Sequence, residues 1–350
     1  MIFGKLVLSA ATLALTAFSA ATCKPKGNEK SFIVFGNSAS DIGNKLAIFG
    51  QPAYWEGRFS NGPVWNEYAA HLLNMPLVNY AIGGATSSNT ALVNGTKNGE
   101  FIPSLLDQID DYLKNTTNTV KHPEKSIVTL EVGGNNILWP LYVDPNYILT
   151  NKAKFISVLV DDIIAGLQKV YNAGYRQFLI WDVPALYKGP ILEGKGEVVA
   201  MVKGLLDEVN AKLDGAINDF EAKNKPEFIK LFNTTSIFNT IEDPAVLSAI
   251  NVTDTTTACV QSDSGMYKPD LEVCKNGDQH FFYDLLHPST RTHHCIGVAA
   301  VETFKHPKKE ITADLFVKAA KKYNIGQVTA ENNILAKAGV HNVPQYPKKK

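Results

Sequence analysis

The chain has 350 residues, 45% of them hydrophobic, and its 34 basic side chains balance its 34 acidic ones. That apolar content over this length supports a substantial core, in one large domain or two small ones. No basic excess or stripe stands out beyond a few terminal lysines, which argues against a nucleic-acid binder.

Residues 1–22 read as a signal peptide. Lys5 supplies the positive n-region, Leu6 to Phe18 a short apolar h-region, and Ser19, Ala20 and Ala21 the small residues of a cleavage site. The apolar run is too short for a relaxed transmembrane helix, which needs about 20 residues. Residues 23–350 are therefore expected to form one secreted, extracellular, monomeric domain with no stable membrane span. Asn-x-Ser/Thr triplets at Asn94, Asn115, Asn233 and Asn251 fit a glycoprotein. Among the four cysteines, Cys259 and Cys274 bracket a short loop rich in Asp, Gly and Pro and are the expected local disulfide. That leaves Cys23 with Cys295 as the second pair.

In chain order, a buried strand is expected over residues 32–36, stopping at Gly36 before Asn37, Ser38 and Asp41. Pro63 is placed to open a helix that runs through Leu73. A second strand, 77–82, ends in Gly83-Gly84, and a third, 126–132, ends before Gly133 to Asn136. Phe155, Val158, Leu159, Ile163, Leu167 and Val170 share one face of a helix that starts near Lys152 and stops at Gly174. A strand over 176–183 carries Asp182 near its end. A long helix covers about 197–224, a fifth strand 227–232, and a last clear helix about 314–323. Strand and helix in alternation imply a parallel sheet covered on both faces. Right-handed crossovers then gather every strand's C-terminal end on one edge, where such folds bind ligands.

A hydrolytic serine needs a base, an orienter for the base and donors for the developing oxyanion. Ser38 follows the first strand directly. "FFYDLLHPST", residues 281–290, sets Asp284 three residues before His287, so that one short turn lets the carboxylate hold the imidazole; Pro288 is placed to open the next helix. Backbone donors are available at Gly83-Gly84, and Asn135 offers a side-chain amide. Taken singly, Ser38 reads more readily as a helix cap, His287 as an exposed loop histidine, and Gly-Gly as a turn. Their joint occurrence at one edge favours an active site.

Several ordered blocks carry a resemblance. "FGNSASDIGN", "GRFSNGPVW" (residues 57–65), "NYAIGGATS", "GGNN", "GYRQFLIWDVP" and "DLLHP" resemble, in this order, the blocks of the GDSL, or SGNH, family of serine esterases and lipases, over about residues 32–304. Fungal carbohydrate acetylesterases and plant-type lipases are among its members. The resemblance implies an α/β fold: a three-layer α/β/α sandwich on a five-stranded parallel sheet, similar to flavodoxin, with residues 305–350 as a C-terminal extension. It implies Ser38 as nucleophile, His287 as general base and acid, and Asp284 as its orienting carboxylate. The oxyanion hole would be the N–H groups of Ser38 and Gly84 and the Asn135 side chain, with no cofactor or metal. In two places the chain departs from the family's pattern: Asn37 stands for the Asp before the nucleophile, and Asn136 for the Asp after the oxyanion Asn.

The expected activity is hydrolysis of short-chain, sugar-linked acetyl or lipid esters through an acyl-enzyme. The alternative is an inactive glycan- or lipid-binding protein that keeps the crevice, for which Asn37 and Asn136 are the support. A metal-dependent hydrolase built on Asp284, His287, His293 and His294 is disfavoured, because no further carboxylate cluster lies near. Trp55, Phe59, Trp65 and Trp139 read either as a platform for a sugar ring or as core packing.

Overall fold

Phe32, Ile33, Val34 and Phe35 are all buried, as a strand covered on both faces requires. This strand, β1 (Phe32–Gly36), is the second in a five-stranded parallel sheet with β2 (Leu77–Asn79), β3 (Ile127–Glu131), β4 (Gln177–Trp181) and β5 (Phe228–Phe232), in the order β2-β1-β3-β4-β5. The structure is a computed structural model and describes residues 29–45, 53–89, 96–97, 100–115, 120–143, 148, 150–261 and 271–346. The expected signal peptide, Cys23 and Asn94 lie outside those residues. Among the described residues no helix is long and apolar enough to cross a membrane.

Strand side chains alternate between two layers. Ile33, Phe35, Val128, Leu130, Phe178 and Ile180 pack with α2 (Leu105–Lys114), α4 (Lys152–Asn172) and α5 (Gly196–Asn224). Phe32, Val34, Ile127, Leu179 and Trp181 pack on the opposite face with α1 (Trp65–Leu73), α6 (Thr234–Ile241), α7 (Pro244–Ile250), α8 (Thr290–Lys305) and α9 (Ala313–Tyr323). The result is the expected three-layer α/β/α sandwich. One further helix, α3 (Gly134–Val143), leaves the end of β3, and α10 (Ile334–Ala338) lies near the C-terminus.

Helix ends follow the local chemistry. The predicted apolar stripe of α4 is buried, and Gly174 lies just past its end at φ +100°, a left-handed conformation that glycine adopts without strain. Pro63 and Pro288 each sit two residues before the first helical residue, preceding the N-caps Val64 and Ser289, so neither opens its helix as expected. The second strand ends at Asn79 in regular pairing, yet Tyr80 and Ile82 still donate to the carbonyls of Val34 and Gly36.

Cys259 and Cys274 form the predicted disulfide. Cys295 carries a free thiol buried in α8. Asn115 and Asn233 are exposed, and Asn251 caps α7 in a left-handed conformation.

Candidate active site

Ser38 lies in the turn that follows β1, half-buried, just past the strand's C-terminal end. Its Oγ stands 2.7 Å from Nε2 of His287. The other ring nitrogen, Nδ1, is 2.9 and 2.8 Å from the two oxygens of Asp284. An ionised carboxylate only accepts, so the proton of the neutral ring sits on Nδ1 and Nε2 is left to accept from the Ser38 hydroxyl.

Asp284 and His287 form one local unit, as their spacing implies. The backbone N–H groups of Leu286 and His287 donate to Asp284 Oδ1 at 2.8 and 2.7 Å, which closes the turn and aims the imidazole. Tyr54 adds a hydroxyl donor to Oδ2 at 3.0 Å. Burial pushes the Asp284 carboxyl up, but the charge and hydrogen bond of His287 and the two backbone donors outweigh it and keep it below the usual carboxylate range. The ring of Phe59 packs on the imidazole at 5.0 Å between centroids. Nothing in the spacing of the sequence marked Tyr54, because the loop that carries it has no periodic pattern.

The three expected oxyanion donors are Ser38, Gly84 and Asn135. Among the described residues neither the Ser38 N–H nor the Gly84 N–H has an acceptor. Gly84 has φ +88°, and the carbon of any larger side chain there would meet Ile102 at 2.9 Å. Asn135, at the start of α3, donates one amide proton to the Ala85 carbonyl at 2.9 Å, which fixes the amide and leaves its second proton unassigned.

Buried polar side chains hold these loops. Asp41, singled out beside Ser38, acts as a cap: its carboxylate accepts from the N–H groups of Gly43, Asn44, Lys45 and Gly83. Burial nevertheless pushes its carboxyl up to about 6. The Asn136 amide accepts from Ser87 N and donates to Ser87 Oγ, and the hydroxyls of Ser87 and Ser88 both donate to Asp162, at 2.7 and 2.6 Å. Arg58, from the "GRFSNGPVW" stretch, is buried against Glu67 of α1 at 2.8 Å.

Other predicted candidates serve the scaffold. Asp182 is buried at the end of β4 and accepts from the backbone N–H and hydroxyl of Thr234, which ties β4 to α6. Trp65 is wholly buried against Trp181, so it belongs to the core and offers no platform to a sugar. Phe59 is buried too, while Trp55 and Trp139 are half-buried. His293 accepts from the Trp65 backbone N–H at 3.3 Å, and His294 stacks on Tyr68 at 4.2 Å; burial lowers both imidazoles to about 3.

The blocks that build this site match the model of the GDSL-like lipase/acylhydrolase family over residues 32–299. The chain belongs to that family. Among curated relatives it is 28% identical to a thermolabile hemolysin of Vibrio parahaemolyticus, over 77% of this chain and 63% of that protein. It is 27% identical to the secreted effector protein SseJ of Salmonella typhimurium, over 81% of this chain and 66% of that protein. An acetylesterase of Thermothelomyces thermophilus is 24% identical over 77% of this chain and 94% of its own length. The chain thus spans slightly less than two thirds of the first two relatives.

Proposed function

We propose that this GDSL-family chain is a secreted carboxylic-ester hydrolase that works through an acyl-enzyme on Ser38. The observation that carries the reading is the continuous hydrogen-bonded line from Ser38 Oγ through the His287 ring to Asp284. His287 takes the Ser38 proton as Oγ attacks the ester carbonyl, and Asp284 stabilises the imidazolium that forms. The carbonyl oxygen, now negative, takes hydrogen bonds from the N–H groups of Ser38 and Gly84 and the free amide proton of Asn135. The imidazolium then protonates the departing alcohol. Water, deprotonated by His287, releases the acid and restores the serine.

Short acyl groups are the favoured substrates in this reading. Phe59 packs on the imidazole and Ile102 lies against Gly84, apolar groups that suit a short acyl chain. That one relative is an acetylesterase accords with this preference.

Hydrolysis of p-nitrophenyl acetate, butyrate and octanoate by the protein and by Ser38→Ala tests the proposal. Acetate or butyrate turnover that vanishes in the variant, with its circular dichroism unchanged, is the expected result. Equal turnover in both proteins would overturn the assignment of the nucleophile. A wild-type preference for octanoate would overturn the short-acyl reading alone.

A further inference from the structure

We propose that Glu131 is a positioning residue for the turn that carries Ser38, and that Asn37 is the side chain matched to it. This inference rests on the serine-esterase reading above and deepens it.

Glu131 ends β3 directly opposite Gly36 in the parallel register, with its side chain buried. One of its oxygens, Oε2, accepts from the backbone N–H of Asn37 at 3.2 Å and from the Ser40 hydroxyl at 2.9 Å. Ser40 Oγ in turn accepts from the Trp65 indole N–H at 3.0 Å. The residues on both sides of Ser38 are therefore tied to a single buried carboxyl. The strand before the turn is clamped independently, because Gln108 both accepts from Gly36 N and donates to Gly36 O, each at 2.9 Å. Room for the Glu131 carboxyl exists only because residue 36 is glycine: a Cβ there would lie 2.9 Å from both Glu131 O and Oε2.

The side chain of Asn37 stands beside this carboxyl. Its oxygen accepts from Ala39 N at 3.0 Å, and its amide favours the ionised form of Glu131 against the effect of burial. An aspartate at 37 would still accept from Ala39 but would present a second acidic oxygen to Glu131 in a site shut off from water. Two carboxyls there resist joint ionisation, so Glu131 keeps its proton beside the aspartate and the two acids compete for the donors that hold the turn.

The test compares wild type, Asn37→Asp, Glu131→Gln and the double variant Asn37→Asp/Glu131→Gln. The readouts are the rate of covalent labelling of Ser38 by a fluorophosphonate and the kcat and KM for p-nitrophenyl acetate. Asn37→Asp is expected to slow labelling and kcat at least tenfold at pH 8, with KM within about twofold. Glu131→Gln alone slows labelling several-fold. The double variant, with acid and amide exchanged, recovers at least fivefold over Asn37→Asp. A labelling rate for Asn37→Asp equal to wild type, or a double variant as slow as Asn37→Asp, overturns the matched pair. Labelling in wild type that persists in Ser38→Ala overturns the nucleophile itself, and the absence of any labelling in wild type overturns both readings; these outcomes are distinct from a failed rescue.

Discussion

The Tyr54 hydroxyl donates to Oδ2 of Asp284 at 3.0 Å, joining two residues 230 positions apart in the chain. It is the one side-chain donor on Asp284 from outside the Asp-Leu-Leu-His turn among the described residues. A hydrogen bond to a charged group contributes about 1.5–3 kcal/mol. Tyr54→Phe is expected to lower kcat about tenfold with KM little changed. A stopped-flow assay in which only KM rises would instead place Tyr54 in substrate binding.

Asn135 has one amide proton on the Ala85 carbonyl, and the proposed mechanism gives the second to the oxyanion. Removing one such donor costs about 10²–10³ in kcat. Asn135→Ala is expected to fall in that range, with the Ser38 labelling rate reduced in parallel. An unchanged rate would remove Asn135 from the oxyanion hole.

Buried acids make stability depend on pH. Glu131 is pushed by burial from 4.5 up to about 8, and Asp182 from 3.8 up to about 7. Each holds a proton in the folded state that the unfolded chain has lost, so its contribution is complete below its unfolded value and declines as pH rises through the folded value. His293 and His294 have the opposite sense, lowering stability as pH falls from 6.5 toward 3. Between about pH 7.5 and 8.5 those histidines are nearly all neutral in both states, and the carboxyls dominate the slope. Wild-type Tm is expected to fall across that window, and Glu131→Gln to flatten the fall. Parallel curves for the two proteins would show that Glu131 is already ionised at about pH 7.5.

The chain end closes over the blocks that hold the site. Arg58 donates to the Asn342 carbonyl at 3.0 Å, the N–H groups of Gln345 and Tyr346 donate to Asn44 Oδ1, and Tyr346 packs on Tyr80 at 5.2 Å. Ending the chain at residue 339 removes all of these contacts. The expected loss is about 2 kcal/mol, chiefly from uncovering the tyrosine pair, with Tm lower by several degrees. An unchanged Tm would show that residues 340–346 add nothing to the fold.

The parts of the candidate site that were legible in the sequence are those defined by local chemistry. Ser38 and the Gly83-Gly84 pair stood out because each follows an apolar run, and Asp284 with His287 because three residues suffice to close a turn; the family resemblance then singled out Gly84. Tyr54, Glu131 and Asp162 left no such trace. Each meets its partner across the fold, and a lone polar residue in an apolar strand or an irregular loop does not announce what it will face. The same limit explains Trp65, which sequence alone placed as readily at the crevice as in the core, and Asp182, whose position at the sheet edge suited a site as well as a scaffold tie.

By itself, then, the sequence determined the alternating strands and helices, the parallel sheet and the edge at which the polar and glycine residues gather, because those follow from hydrophobic periodicity and the handedness of short connections. It also determined the Cys259–Cys274 disulfide. Only the tertiary structure decided which buried acids meet which amides, since a carboxyl's role depends on the donors that packing brings to within 3 Å or so. Asn37 is the clearest case: a departure from the family pattern along the chain, and a backbone donor to Glu131 once β1 and β3 lie side by side.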